Sequence, residues 1–269
     1  MSMTQIFSRY FFVVLGVLML AGPLQIKAQS TIVSESAVTA ESSTLRVPDE
    51  DDILAQTLNQ ASPYYYPELM MRYVIGDSTL TAEDYHYLYY GYAYDANYRP
   101  LENIPDTDEV MNLLSGLGTK GASQNQAQLL LEAAKDVMLV DPFSPSNINI
   151  MTYAYSVLGD TVNARISADR FNKIIATIEA SGTGRRENSP MHVLRHEHVN
   201  DLMMCKGLRI VNRTVRSTKV EYVQVQRGER NAKGYYFNFE RIYRKRPERT
   251  PEREQSNWMI NGVPMNKRR

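Results

Sequence analysis

Three histidines within seven residues, His192, His196 and His198, flanked by Glu197 and Asp201, are the one group in this 269-residue chain whose types suit a metal ion. Imidazole nitrogen and carboxylate oxygen are ordinary zinc ligands, so the spacing decides what they could do. If the segment is a strand, His196 and His198 project from one face. If it is a helix, His192 and His196 lie one turn apart instead. A catalytic zinc needs three protein ligands and an open position, and the fourth histidine, His86, is distant in sequence. Neither helical zinc-peptidase spacing occurs. A metal-dependent hydrolase using the His192, His196 and His198 segment is therefore the alternative reading. The leading one is a half-buried polar stretch with His196 hydrogen-bonded in the core, and no catalytic residue, metal or cofactor is assigned.

Tyrosine is the second unusual feature: residues 64–98 hold more than half of the 18 tyrosines. Each offers a large apolar body with a polar tip, so Tyr85, Tyr89 and Tyr92 could form a ligand-contacting face for glycan or peptide. Their steps of three and four serve a packed core equally well. Cys205, between Met204 and Lys206, reads as a small buried hydrophobe rather than a nucleophile. No phosphate-cradling glycine loop or Gly-x-Ser-x-Gly elbow is present. Tyr222, Tyr235 and Tyr236 among basic residues could stack on a nucleic-acid strand, but an exported protein rarely meets one, so no nucleic-acid partner is expected. A protein or an envelope polymer is the expected kind of partner.

The elements that must position these residues fall into two parts. Residues 50–180 carry helical periodicity: Ile53, Leu54 and Leu58; Leu69, Met70, Tyr73 and Val74 after Pro67; and the tyrosine run after Thr81 and Asp84. Further helices are expected over 108–117, 123–140, 147–158 and 161–180. Tyr155, Gly159, Ala164 and Ala168 fall near the aromatic, turn and small positions of a tetratricopeptide unit, so the last pair resembles one. From about residue 190 the period shortens, with a candidate strand around Val193, a short helix over 199–206 and strands over 208–218, 219–226 and 234–243. Gly228 and Gly234 are read as bracketing the loop between the last two. The fold class is α+β: an N-terminal helical array with tetratricopeptide-like helix pairs, then a small antiparallel sheet, in a single domain over residues 50–243 (helical over 50–180, mostly strands over 190–243).

The two ends are different in kind. Residues 1–28 have a polar start with Arg9, an apolar run of about 11 residues and a small residue, Ala28, which is the order of a cleavable signal peptide. That run is about half of what a spanning helix needs, so no integral membrane segment is expected after cleavage. No cysteine follows it to carry a lipid, so the chain reads as exported, periplasmic or secreted, and not a lipoprotein. Residues 29–49 are Ser- and Thr-rich and read as a flexible N-terminal segment. Residues 244–269 read as a basic, mostly disordered tail that could touch anionic surfaces. One cysteine cannot form an internal disulfide, so stability must come from an apolar core. Net charge is zero, yet residues 29–205 carry 11 basic against 24 acidic side chains and residues 206–269 carry 17 against 6. The simplest account has the two halves facing and neutralising each other.

Several of these stretches resemble one family. Leu88-Tyr89-Tyr90-Gly91-Tyr92, Ala154-Tyr155 with Gly159-Asp160, His196-Glu197 followed by Leu202 and Gly207, and Tyr236-Phe237 are similar to the domain-of-unknown-function 4919 (DUF4919) family of exported bacterial proteins, over roughly residues 63–242. The family pattern continues His-Glu with Tyr, where this chain has His198. The resemblance implies a compact helical-plus-β envelope protein with no assigned chemistry. The reading is thus an uncharacterised exported envelope protein acting as a non-enzymatic binding or interaction module.

Overall fold

The computed structural model of the protein describes residues 45–117, 121–244, 259–260 and 263–264. The stretch read as a signal peptide, most of the expected flexible N-terminal segment and most of the basic tail lie outside the described residues. Within them the helical part comes first: α1 (Glu50–Thr57), α2 (Tyr66–Ile75), α3 (Ala82–Gly91) with a 3₁₀ turn (Tyr92–Tyr94), α4 (Pro105–Ser115), α5 (Gln124–Val140), α6 (Pro145–Leu158) and α7 (Thr161–Ala180).

Local chemistry sets most of these boundaries. Asp49 accepts the Asp52 N–H at the start of α1. Thr81 and Asp84 make a reciprocal capping box on α3, as Ser123 and Gln126 do on α5, and each pair satisfies two N–H groups the helix leaves free. Prolines occupy the first turn of α2, α4 and α6, where their missing N–H costs nothing. Gly76 ends α2 with φ +81°, a left-handed turn that a Cβ would strain.

The second part opens with β1 (Met191–His192) and α8 (His196–Cys205), followed by β2 (Arg209–Val215), β3 (Val220–Arg227), β4 (Arg230–Asn238) and α9 (Glu240–Arg244). Sheet order is β1-β4-β3-β2. The class is α+β, but the sheet is mixed rather than antiparallel throughout, because β1 runs parallel to β4. The last strand also begins four residues earlier than predicted, and Glu240–Arg244 is a helical turn rather than its end. Only Gly228, at φ +57°, lies in the hairpin turn; Gly234 sits inside β4.

Two apolar clusters hold the molecule. One joins α1, α2 and α3, the inner face of α7, α8 and the inner face of the sheet, with Leu69, Leu88, Ile174, Leu202, Val223 and Phe237 all at 0% exposure. The other is local to α4, α5 and α6, around Leu130, Ala134 and Ala154. The α6 and α7 helices form a hairpin around Gly159, φ +79°; the tetratricopeptide likeness of this pair remains an expectation from its sequence. Two two-residue strands, β5 (Met259–Ile260) and β6 (Val263–Pro264), pair antiparallel. No helix among the described residues is long and apolar enough to cross a membrane.

Candidate functional site

The three histidines do not converge. His192 lies on β1, where its Nδ1 faces an Arg241 guanidinium nitrogen at 3.2 Å and its backbone N–H donates to the Ser181 hydroxyl at 2.7 Å. Burial, reinforced by the Arg241 charge, pushes its pKa down to about 4. His196 opens α8 and stacks on Phe239 with ring centroids 4.5 Å apart, its Nδ1 3.4 Å from Arg213. His198 points the other way, into the core. Among the described residues no three His, Cys, Asp or Glu side chains are placed to share a metal, so the hydrolase reading of this segment loses its ligand set.

What His198 does instead is close a buried polar chain. Its Nδ1 lies 2.7 Å from the Tyr89 hydroxyl and its Nε2 lies 3.2 Å from Asp141 Oδ2. Asp141 also accepts the Phe143 N–H at 3.3 Å and faces Arg195 Nε at 3.5 Å. Burial alone would raise the Asp141 pKa, but His198, Arg195 and the Phe143 N–H outweigh it and hold the group below its ordinary value. A carboxylate only accepts, so Nε2 carries the proton to it, leaving the Nδ1 lone pair for the Tyr89 O–H. Tyr89 in turn accepts the Leu194 N–H at 3.3 Å.

Every polar atom of this Asp141–His198–Tyr89 chain therefore has a partner. Its order matches that of an acid, an imidazole and a hydroxyl nucleophile, but Tyr89 and His198 are 0% exposed, so no substrate reaches the hydroxyl. Burial lifts the Tyr89 pKa well above that of free tyrosine. The chain binds three segments together: α3, the α5–α6 junction and α8. Arg195 extends it by donating to the carbonyls of Arg99 and Glu102, each at 2.9 Å.

Tyr89 is fully buried and Tyr85 and Tyr92 nearly so, which places all three in the core, and Tyr85 also borders the cleft described below. Their neighbours spend hydroxyls on backbone carbonyls: Tyr73 on Pro142 at 2.7 Å, Tyr92 on Val140 at 2.9 Å and Tyr98 on Leu194 at 2.6 Å. Such bonds let tyrosine fill a core without a polar penalty. Cys205 is half-buried, and burial pushes its thiol up to about 12, so it stays protonated and unreactive.

Sequence periodicity did not distinguish a cleft on the outer side of α2. It opens between the α2–α3 turn and α7, has a volume of about 180 Å³, and is lined by Tyr73, Gly76, Tyr85, Arg165, Ile166 and Arg170 among others. The Arg170 guanidinium closes one end, donating to the carbonyls of Tyr73 and Val74 and lying 4.6 Å from the Tyr73 ring centre. The two helices that bound it also carry exposed apolar side chains outside its lining: Met71, Val74 and Ile75 on α2, and Val162 one turn before Ile166 on α7, each more than half exposed.

The profile of one protein family, described as Domain of unknown function (DUF4919), matches residues 51–248. No curated protein and no solved structure matches the chain.

Proposed function

We infer, for a chain that belongs to the DUF4919 family of domains of unknown function, a non-enzymatic role as a binding module that works outside the cytoplasm. The observation that carries this reading is the cleft between α2 and α7 with its apolar surroundings. Its volume of about 180 Å³ falls below the ~300–1,000 Å³ of pockets that enclose a cofactor or drug-sized ligand. It is close to the ~150 Å³ that accommodates a single benzene ring. A site of that size accepts one aromatic or branched side chain. Met71, Val74, Ile75 and Val162 on the two bounding helices are exposed apolar side chains of the kind a protein contact covers. The partner is accordingly a protein that inserts one apolar anchor.

Export rests on the three-part order of residues 1–28, and cleavage there would leave a mature chain beginning at Gln29. A photo-crosslinking residue placed at Val162 in the native cell should trap one protein, and Ile75→Glu should abolish that adduct while leaving the thermal melt unchanged. An adduct that survives Ile75→Glu, or none at all, would defeat the reading.

A further inference from the structure

The sheet has a second face, opposite the one that packs on the core. Strand pairing fixes which side chains share it. Thr214 lies opposite Tyr222, and Tyr222 opposite Tyr236; Asn212 lies opposite Gln224; Arg209 lies opposite Gln226. Residues directly opposite project from the same side, and alternate residues along β3 stay on that side. The other side carries Val223, Val225 and Phe237 into the core and sends Arg213 to Asn200 of α8 at 2.8 Å. The face with Tyr222 and Tyr236 is therefore the one turned away from the helices.

Its chemistry is tyrosine, amide, hydroxyl and arginine. The rings of Tyr222 and Tyr236 meet with centroids 4.9 Å apart, inclined by 51°. Tyr222 lies flat across β4 because position 234 has no side chain: a Cβ there would stand 2.6 Å from the Tyr222 ring. Its hydroxyl accepts the Gly234 N–H at 2.9 Å, which locks the ring in that pose. Arg216 stands over the same ring at 5.6 Å and has no ion pair among the described residues. The one carboxylate within these strands, Glu221, is on the core side, where Tyr243 donates to it at 3.2 Å.

We propose that this open face of the sheet, Tyr222 and Tyr236 with Asn212, Gln224, Gln226, Arg209 and Arg216, binds an anionic polysaccharide. A sugar ring presents a C–H face that lies against an aromatic ring and a rim of hydroxyls that both donate and accept, which is what Asn and Gln amides do. The arginines, with no carboxylate on the same face, select a chain carrying uronate, sulfate or phosphate groups. A nucleic-acid strand fits less well. It needs parallel ring faces for its bases, whereas these two rings are inclined by 51°.

The test is affinity electrophoresis of the full chain through gels containing polygalacturonate, neutral dextran or poly(U). Polygalacturonate should retard the wild type, dextran should not, and added salt should weaken the retardation. Tyr236→Ala should weaken it by about tenfold, while Tyr236→Phe retains it. Arg216→Ala, at an exposed position without an ion pair among the described residues, should weaken it severalfold and leave the thermal melt unchanged. Ile75→Glu should leave it untouched, so this face stands or falls separately from the cleft on α2. No retardation, retardation unaffected by both Tyr236→Ala and Arg216→Ala, or equal retardation by dextran overturns the proposal. Preference for poly(U) reassigns the face to nucleic acid and overturns it too.

Discussion

Asp201 is a buried carboxylic acid whose ionisation works against the fold. It lies on α8, is nearly inaccessible, and accepts the Ser146 N–H at 3.1 Å from the first turn of α6. Burial raises its pKa from 3.8 to about 6, with His198 and the Ser146 bond pulling the other way. An acid whose folded pKa is raised binds its proton more tightly folded than unfolded. Its favourable contribution is thus complete below pH 3.8, falls as pH rises towards 6, and leaves a constant penalty above. At about 1.4 kcal/mol per pKa unit that penalty is on the order of 3 kcal/mol. Asp201→Asn keeps an oxygen for Ser146 and removes the charge. Urea denaturation at pH 7 should find the variant more stable by about 1–3 kcal/mol, and a less stable variant would contradict the account. Little of this was legible in sequence. Tyr85, Tyr89 and Tyr92 at helical spacing fit a core as well as a ligand face, and what Tyr89 meets there comes from far along the chain: His198 lies 109 residues from Tyr89 and 57 from Asp141. Periodicity reports which face of a helix is inward. It does not report which distant carboxylate or hydroxyl meets it there.

At the scale of elements, the change from helical to alternating pattern near residue 190 was readable, and so were the helix starts marked by Pro67, Thr81 and Ser123. What misled was treating two glycines alike. Gly228 turns the hairpin with φ +57°, whereas Gly234 has no positive φ and serves close packing inside β4. β1 lies at the strand expected around Val193, but two residues are too few for an alternating pattern to give its direction, and its parallel pairing comes from the return of the chain after α7. The His-Glu-His stretch fits a strand face and a helix turn equally; α8 forms because Val199, Leu202 and Met203 must reach the core together. The role assigned to Gly234 has a direct consequence. A Cβ there would lie 2.3 Å from the Val223 carbonyl oxygen as well as against Tyr222, and a backbone atom cannot step aside as a side chain can. Gly234→Ala should therefore destabilise the domain by roughly 1–3 kcal/mol in thermal or urea melts. The mirror substitution Gly228→Asn, at an exposed left-handed turn position where asparagine is tolerated, should cost far less. Equal losses would mean that the close approach of β3 to β4 is not what position 234 protects.

Taken whole, the molecule joins its acidic and basic halves as the charge distribution suggested: Glu179 pairs with Lys206, and Glu50 with Arg244. These pairs lie at the surface and each contributes little, so the acid response of the fold is set by what is buried. His86, between the rings of Tyr87 and Tyr90, and His192, beside Arg241, are both pushed down to about 4, chiefly by burial. A base whose folded pKa is depressed lends stability in full above its unfolded value of about 6.5 and loses it as pH falls towards 4. Each histidine can withdraw up to about 3 kcal/mol over that range, while protonation of Asp201 returns about as much as one of them takes. His196 is lowered by burial as well, so three losses against one gain predict a net fall in stability between pH 6.5 and pH 4. In His86→Phe, which keeps the packing against Tyr87 and Tyr90, one loss disappears, and denaturation midpoints should fall less steeply across that window than in the wild type. In Asp201→Asn the compensation disappears instead, so the variant that is more stable at pH 7 should lose stability faster on acidification than the wild type. Midpoints for the three proteins at half-unit steps would separate these slopes, and parallel curves would show that the buried histidines stay neutral for reasons other than their burial.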